Sequence, residues 1–144
     1  MLDSKVRKVL VVNGPNLNLL GDREPEIYGT KTLNDINQAI EKKGKDLGIE
    51  LEFYQSNHEG DIIDKINNTD SDGLIINPAA FTHTSVALAD ALGAFDGKVV
   101  EVHLSNIFSR EEFRKVSLTA PKTKGVICGF GWKGYLLALR AIIE

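Results

Sequence analysis

The apolar positions alternate between short unbroken runs and helical spacing. Residues 8–12, KVLVV, form a valine-rich run with the look of a buried strand. From Thr32 to about Leu47, Leu33, Ile36, Ile40 and Leu47 recur at helical intervals, with Thr32 and Asp35 placed as caps. Residues 49–55 alternate apolar and polar as a strand does, and residues 61–68 put Ile62, Ile63 and Ile66 on one face of a short helix. Strands follow at 73–77, 98–104 and 125–130, with helices at 84–95 and 132–144 and a helical turn at 110–116. Alternating strands and helices predict βαβ units and a parallel sheet covered on both faces. Right-handed crossovers then give an α/β, flavodoxin-like doubly wound five-stranded parallel sheet in the order 2-1-3-4-5.

Residues 13–29, NGPNLNLLGDREPEIYG, interrupt this pattern. Most connections in a compact domain run about 4–6 residues, and longer ones tend to be lids or binding loops. This one is long, polar and rich in glycine, proline and asparagine, and helical periodicity returns only near Thr32.

Composition narrows the class. A length of 144 residues fits one catalytic domain spanning 1–144, able to bury about 68–70% of its unfolded surface. With 17 basic and 20 acidic residues interspersed, and no aromatics interleaved with the lysines, nothing points to nucleic acid. The single Cys128, in the apolar run GVICGF, reads as a buried structural thiol and not a nucleophile. The absence of a leader pattern and of long apolar runs predicts a soluble, cytoplasmic protein with no membrane partner.

In an open α/β sheet, ligands bind beyond the carboxyl ends of the strands at the switch point, here between strands 1 and 3 with strand 4 alongside. Those ends read Asn13 to Asn16, Asn77 to Ser85 and Glu101 to Asn106. They include His83 and His103, and Glu101 lies two residues from His103, hence on the same side of the strand. A carboxylate beside an imidazole holds its tautomer and supports its protonated form. Each feature also has a plainer reading. A strand-end histidine can be structural, Asn77-Pro78 can be a turn, Glu101 can be a solvated or capping carboxylate, and Thr82, Thr84 and Ser85 can cap the next helix. Convergence of three segments on the fold's binding edge favours a ligand site. The chain has no GxGxxG, no P-loop and no GxSxG elbow, and the asparagines among the histidines suit a metal poorly.

The three stretches NGPNLNLLGDREPEIYG, NPAAFTHTS and EVHLSNIFSREEFR, together with YQSNHEG and KGVICGFG, resemble the type II 3-dehydroquinate dehydratases over nearly the whole chain. The resemblance implies a lyase of the shikimate pathway or of quinate breakdown. It implies removal of water from 3-dehydroquinate to give 3-dehydroshikimate by anti elimination through an enolate, with no metal and no organic cofactor. The long loop becomes a lid. Tyr28 matches the base at C2, Arg23 the cation beside it, and Arg110 a second arginine in support; an unperturbed phenol ionises near ~10, so a basic tyrosine needs such a neighbour. Gly21 and Gly29 bracket the segment as hinges. Asn16 matches the enolate-stabilising residue, His103 the general acid and Glu101 its orienting partner. Asn77, His83 and Arg114 match residues that hold substrate hydroxyls, and the backbone at Leu104 and Ser105 matches the carboxylate site. Asp90 matches a residue that reaches into a neighbour's site, in a homododecamer built as four trimers, and the apolar helix around it (Val86, Ala87, Leu88, Ala91, Leu92) suits a partner contact. The set Asn16, Arg23, Tyr28, Glu101 and His103 separates a lyase from a non-catalytic binding module or a flavin- or phosphate-binding domain on the same scaffold. Ala79, Phe81, Ala89 and Phe108 depart from residues frequent in the family. Of these, Ala79 is the one that brings strain if its turn needs a positive φ.

Overall fold

A computed structural model describes residues 5–144. The expectation about a leader touches residues 1–4, which lie outside that range. Five parallel strands, β1 (Lys8–Asn13), β2 (Glu50–Gln55), β3 (Gly73–Asn77), β4 (Lys98–His103) and β5 (Gly125–Cys128), form one sheet in the order β2-β1-β3-β4-β5, as the pattern predicted. The helices are α1 (Pro25–Tyr28), α2 (Leu33–Leu47), α3 (Glu59–Asn68), α4 (Phe81–Thr84), α5 (Val86–Ala94) and α6 (Lys133–Ile143).

Strand alternation sorts the core into two layers. Val9, Val11, Ile75, Val100 and Val102 meet Ile36 and Ile40 of α2 and Leu139 and Ile142 of α6. Leu10, Val12, Leu74, Ile76 and Val99 meet Ile62 and Ile66 of α3 and Leu88 and Leu92 of α5. Burying a leucine or isoleucine side chain contributes about 1.5–3 kcal/mol, so both helix layers are held mainly by this packing. The α2 start is a capping box: the Asp35 N–H donates to Thr32 Oγ1 (3.1 Å) and the Thr32 N–H to Asp35 Oδ2 (3.0 Å). Those bonds hold the Asp35 carboxyl below the usual carboxylate range.

Three readings change. Residues 13–29 are not one polar loop: Leu17 and Leu20 are buried in the α2/α6 layer, a 3-10 turn spans Leu17–Leu19, and α1 follows. The helix expected at 84–95 is α5, which starts two residues later behind Ser85, whose hydroxyl accepts from the Leu88 N–H (2.8 Å), and a further short helix, α4, precedes it where the sequence pattern showed none. Cys128 is only partly buried, because β5 is an edge strand with one side open.

Gly14 lets β1 and β3 end against each other. A Cβ there would sit 2.5 Å from the Pro78 carbonyl oxygen, and the Gly14 N–H already donates to the Asn77 carbonyl (2.8 Å). The polar chain ends therefore meet at close range, where the fold opens its crevice.

Candidate active site

The cleft lies at the carboxyl ends of β1, β3 and β4, where the strand order reverses. It is lined by Asn16, Arg23, Tyr28, Asn77, His83, His103, Leu104, Ser105, Arg110 and Arg114, so polar and cationic groups from separate segments converge on it.

β4 supplies the best-defined pair. Val99, Glu101 and His103 share one side of the strand, and the Glu101 side chain is fully buried. His103 Nε2 lies 2.5 Å from Glu101 Oε2. A carboxylate oxygen accepts, so Nε2 carries the hydrogen and Nδ1 is the ring nitrogen left for a ligand.

Opposite stands the α1 segment. Tyr28 packs its ring on the α2/α6 core layer, and its hydroxyl accepts from Arg110 Nη1 at 3.0 Å. The same nitrogen donates to Ser105 Oγ at 3.2 Å. The Arg23 guanidinium carbon lies 5.8 Å from the Tyr28 ring centre and that of Arg110 5.4 Å, so two cations flank one phenol. The contact to the hydroxyl belongs to Arg110, whereas the family resemblance pointed first to Arg23; Arg23 instead lies 3.8 Å from Glu24. Gly21 (φ +98°) and Gly29 (φ +88°) bound this segment in backbone conformations that glycine adopts freely.

Asn16 takes the left-handed conformation (φ +70°), and its N–H donates to Asn57 Oδ1 (2.9 Å). Gln55 Nε2 also donates to Asn57 Oδ1 (3.1 Å), so the YQSNHEG stretch positions Asn16. His83 Nδ1 lies 2.7 Å from the Val116 carbonyl. That oxygen only accepts, so Nδ1 carries the hydrogen and Nε2 remains for the cleft. Arg114 Nε donates to Glu111 Oε1 (3.1 Å), and its guanidinium carbon lies 5.0 Å from the Phe113 ring centre.

Asn77 is held by the protein through one amide hydrogen and one acceptor site of its oxygen, which leaves the other of each for a ligand. Its Oδ1 accepts from the Ala79 N–H (3.1 Å), and its Nδ2 donates to the Tyr135 hydroxyl (3.1 Å), which donates in turn to Asn13 Oδ1 (2.5 Å). Burial pushes the Tyr135 phenol well above its usual range, more than the Asn77 bond draws it down, so the hydroxyl stays protonated in this chain of bonds. Asp90 does not join the cleft: it is exposed on the outer side of α5, beside Val86 and Ala87, while Leu88 and Leu92 cover the chain's own sheet and Ala91 is buried.

Residues 7–143 match the family described as Dehydroquinase class II. The chain belongs to that family. Among curated dehydroquinases, it is 57% identical over 139 residues to the 3-dehydroquinate dehydratase of Geotalea daltonii, covering 95% of this chain and 96% of that protein. The crystal structure of the type II dehydroquinase from Butyrivibrio crossotus superposes with a TM-score of 0.94 at 48% identity, over 96% of this chain and 99% of that one. The type II dehydroquinase from Propionibacterium acnes superposes with a TM-score of 0.90 at 40% identity, over 98% and 99% respectively.

Two groups of residues in this dehydroquinase escape sequence reasoning. Thr82 is not a helix cap: it is fully buried, and its hydroxyl donates to Glu101 Oε2 (2.7 Å). Thr119 donates to Glu101 Oε1 (2.6 Å). Tyr135 reads in the sequence as an ordinary core aromatic of the last helix, and only its reach to Asn13 and Asn77 shows otherwise. Ala79, in contrast, was visible: it has φ +52°, where a side chain costs about 1–2 kcal/mol that glycine avoids.

Proposed function

We infer that this chain performs the reaction its family is named for, removing water from 3-dehydroquinate to give 3-dehydroshikimate in the shikimate pathway, as a lyase. The observation that carries the mechanism is the Tyr28–Arg110 contact set across one cleft from the Glu101–His103 pair. An elimination needs a base and an acid acting at neighbouring carbons, and this arrangement supplies both.

Tyr28, as phenolate, takes the proton from C2, beside the C3 ketone. Arg110 and Arg23 balance its charge. The C2 electron pair moves into an enolate, whose oxygen is met by Asn16, directly or through a water. The enolate then re-forms the ketone and pushes out the C1 hydroxyl. His103 donates its proton to that leaving oxygen from Nδ1, so water departs and a C1–C2 double bond remains. His103 keeps its Nε2 hydrogen on Glu101 throughout. Tyr28 ends protonated and His103 neutral, and exchange with solvent restores both. No step requires a metal or an organic cofactor. Asn77, His83 and Arg114 hold the substrate hydroxyls, and the backbone at Leu104 and Ser105, with Arg110 beside it, takes the carboxylate. Base and acid on opposite walls favour anti elimination. With substrate stereospecifically deuterated at C2, the hydrogen lost is expected to be the one opposite the C1 hydroxyl; loss of the hydrogen on the same face would overturn this arrangement.

We also propose a single catalytic domain, a cytoplasmic location and a homododecamer of four trimers. The lone cysteine, a free thiol, supports the location. Among the described residues no helix is long and apolar enough to cross a membrane. The exposed position of Asp90, off its own cleft, supports a role in a neighbour's. Mixing dissociated Tyr28→Phe and Asp90→Ala subunits and letting them reassemble is expected to return part of the activity, because some shared pockets regain both residues. Mixed oligomers without recovery would remove Asp90 from any shared site.

A further inference from the structure

Behind His103 lies a group of hydroxyls that the mechanism above leaves unused. Thr82 comes from α4, and Ser117 and Thr119 from the segment before β5. That segment is pinned to α4 through the backbone, with the Leu118 N–H donating to the Thr82 carbonyl (2.7 Å). Thr82 and Thr119 each donate to one oxygen of Glu101, and their own oxygens lie 2.7 Å apart. Ser117 Oγ lies 2.6 Å from Thr82 Oγ1. A hydroxyl has one hydrogen, and that of Thr82 is committed to Glu101, so Ser117 must donate to Thr82. Ser117 accepts in turn from the Ala120 N–H (2.9 Å). The hydrogens run one way, from a backbone amide through two hydroxyls to a carboxylate.

We propose that Thr82, Thr119 and Ser117 are positioning residues for the general acid. Thr82 and Thr119 each donate to a Glu101 oxygen beside His103, Ser117 directs the Thr82 hydroxyl, and together they hold the carboxylate in one rotation and so fix His103 with Nε2 toward Glu101 and Nδ1 toward the substrate. The proposal rests on His103 being the acid. Two threonines reach both oxygens of one fully buried carboxylate. If Glu101 could rotate, His103 would lose its orientation, and proton delivery to the C1 hydroxyl would slow without any change in how substrate is held.

The test compares Thr82→Val and Thr119→Val, which keep the shape and delete the hydroxyl, with Thr82→Ser and Thr119→Ser, which keep it. Exposed Thr84→Val serves as a control. Each valine variant is expected to lower kcat for dehydration by about 10–100-fold, the usual scale for losing a residue that orients a functional group. KM should stay within about threefold and C2 hydrogen–deuterium exchange near the wild-type rate, with the serine variants close to wild type. A kcat unchanged in the valine variants, or exchange and dehydration falling by the same factor, overturns the proposal. Should a valine variant not fold, Ser117→Ala removes the donor to Thr82; a smaller fall in kcat alone is expected, and an unchanged kcat overturns the proposal equally. His103→Ala separates the two levels. If it slows exchange and dehydration together, the acid assignment itself fails and the threonine proposal with it. If it separates them while the threonine variants do not, only the threonine proposal fails.

Discussion

Tyr28→Phe is expected to lower turnover of 3-dehydroquinate by about 10²–10⁴-fold, the range that general-base catalysis supplies, while leaving the chain folded. The ring contributes to the α2/α6 core layer and phenylalanine keeps that contact. The hydroxyl it deletes has one protein partner, Arg110 Nη1, which still has Ser105 Oγ to donate to. No buried group is left without a partner, so the loss falls on the reaction and not on stability. The product carries a carbon–carbon double bond conjugated with its ketone, so turnover is followed by the growth of enone absorbance, with circular dichroism as the check on the fold. Turnover close to wild type in this variant would take Tyr28 out of the mechanism.

His103→Ala is expected to separate the two halves of the elimination. It removes the donor of the proton to the C1 oxygen and leaves Tyr28, Arg110 and Asn16 in place. Dehydration should fall by about 10²–10⁴-fold while C2 hydrogen–deuterium exchange continues at a much higher rate. Glu101 loses one of its three donors but keeps Thr82 and Thr119, so the buried carboxylate is not orphaned and the chain should fold. Substrate recovered from heavy water and examined by NMR reports exchange, and the enone band reports dehydration. Equal falls in both rates would show that His103 acts at the first step or merely places the substrate.

The central strands β1 and β3 were legible because parallel strands buried on both faces must be continuous apolar runs, as KVLVV and GLIIN are, and the edge strand β2 because its alternation marks one covered face. Most candidate residues were legible for a related reason: the strand order names which ends converge, and those ends carry Asn16, Asn77, Glu101 and His103. What stayed hidden is contact at long sequence distance. Thr82 meets Ser117 and Thr119 across 35 and 37 positions, and Asn77 meets Tyr135 across 58. Neither periodicity nor a local motif records such meetings, and a threonine ahead of a helix reads as a cap unless its partner is seen. Leu17 and Leu20 were masked by the Asn, Gly and Pro around them, which suggest a loop wholly in solvent. The order of the two arginines at Tyr28 was unreadable too, since it depends on how the chain after β4 folds back over the cleft.

The double donation from Arg110 has a consequence for fidelity. Tyr28 belongs to the segment bracketed by Gly21 and Gly29, whereas Ser105 follows directly on β4 at the end of the sheet. If that segment swings outward, Arg23 travels with the phenol, but Arg110 stays with Ser105. The base therefore has the hydrogen bond from Arg110 only while the segment covers the cleft. A ketone that met the protein with the segment swung outward would face a base without its Arg110 partner, and proton abstraction from it would be slower.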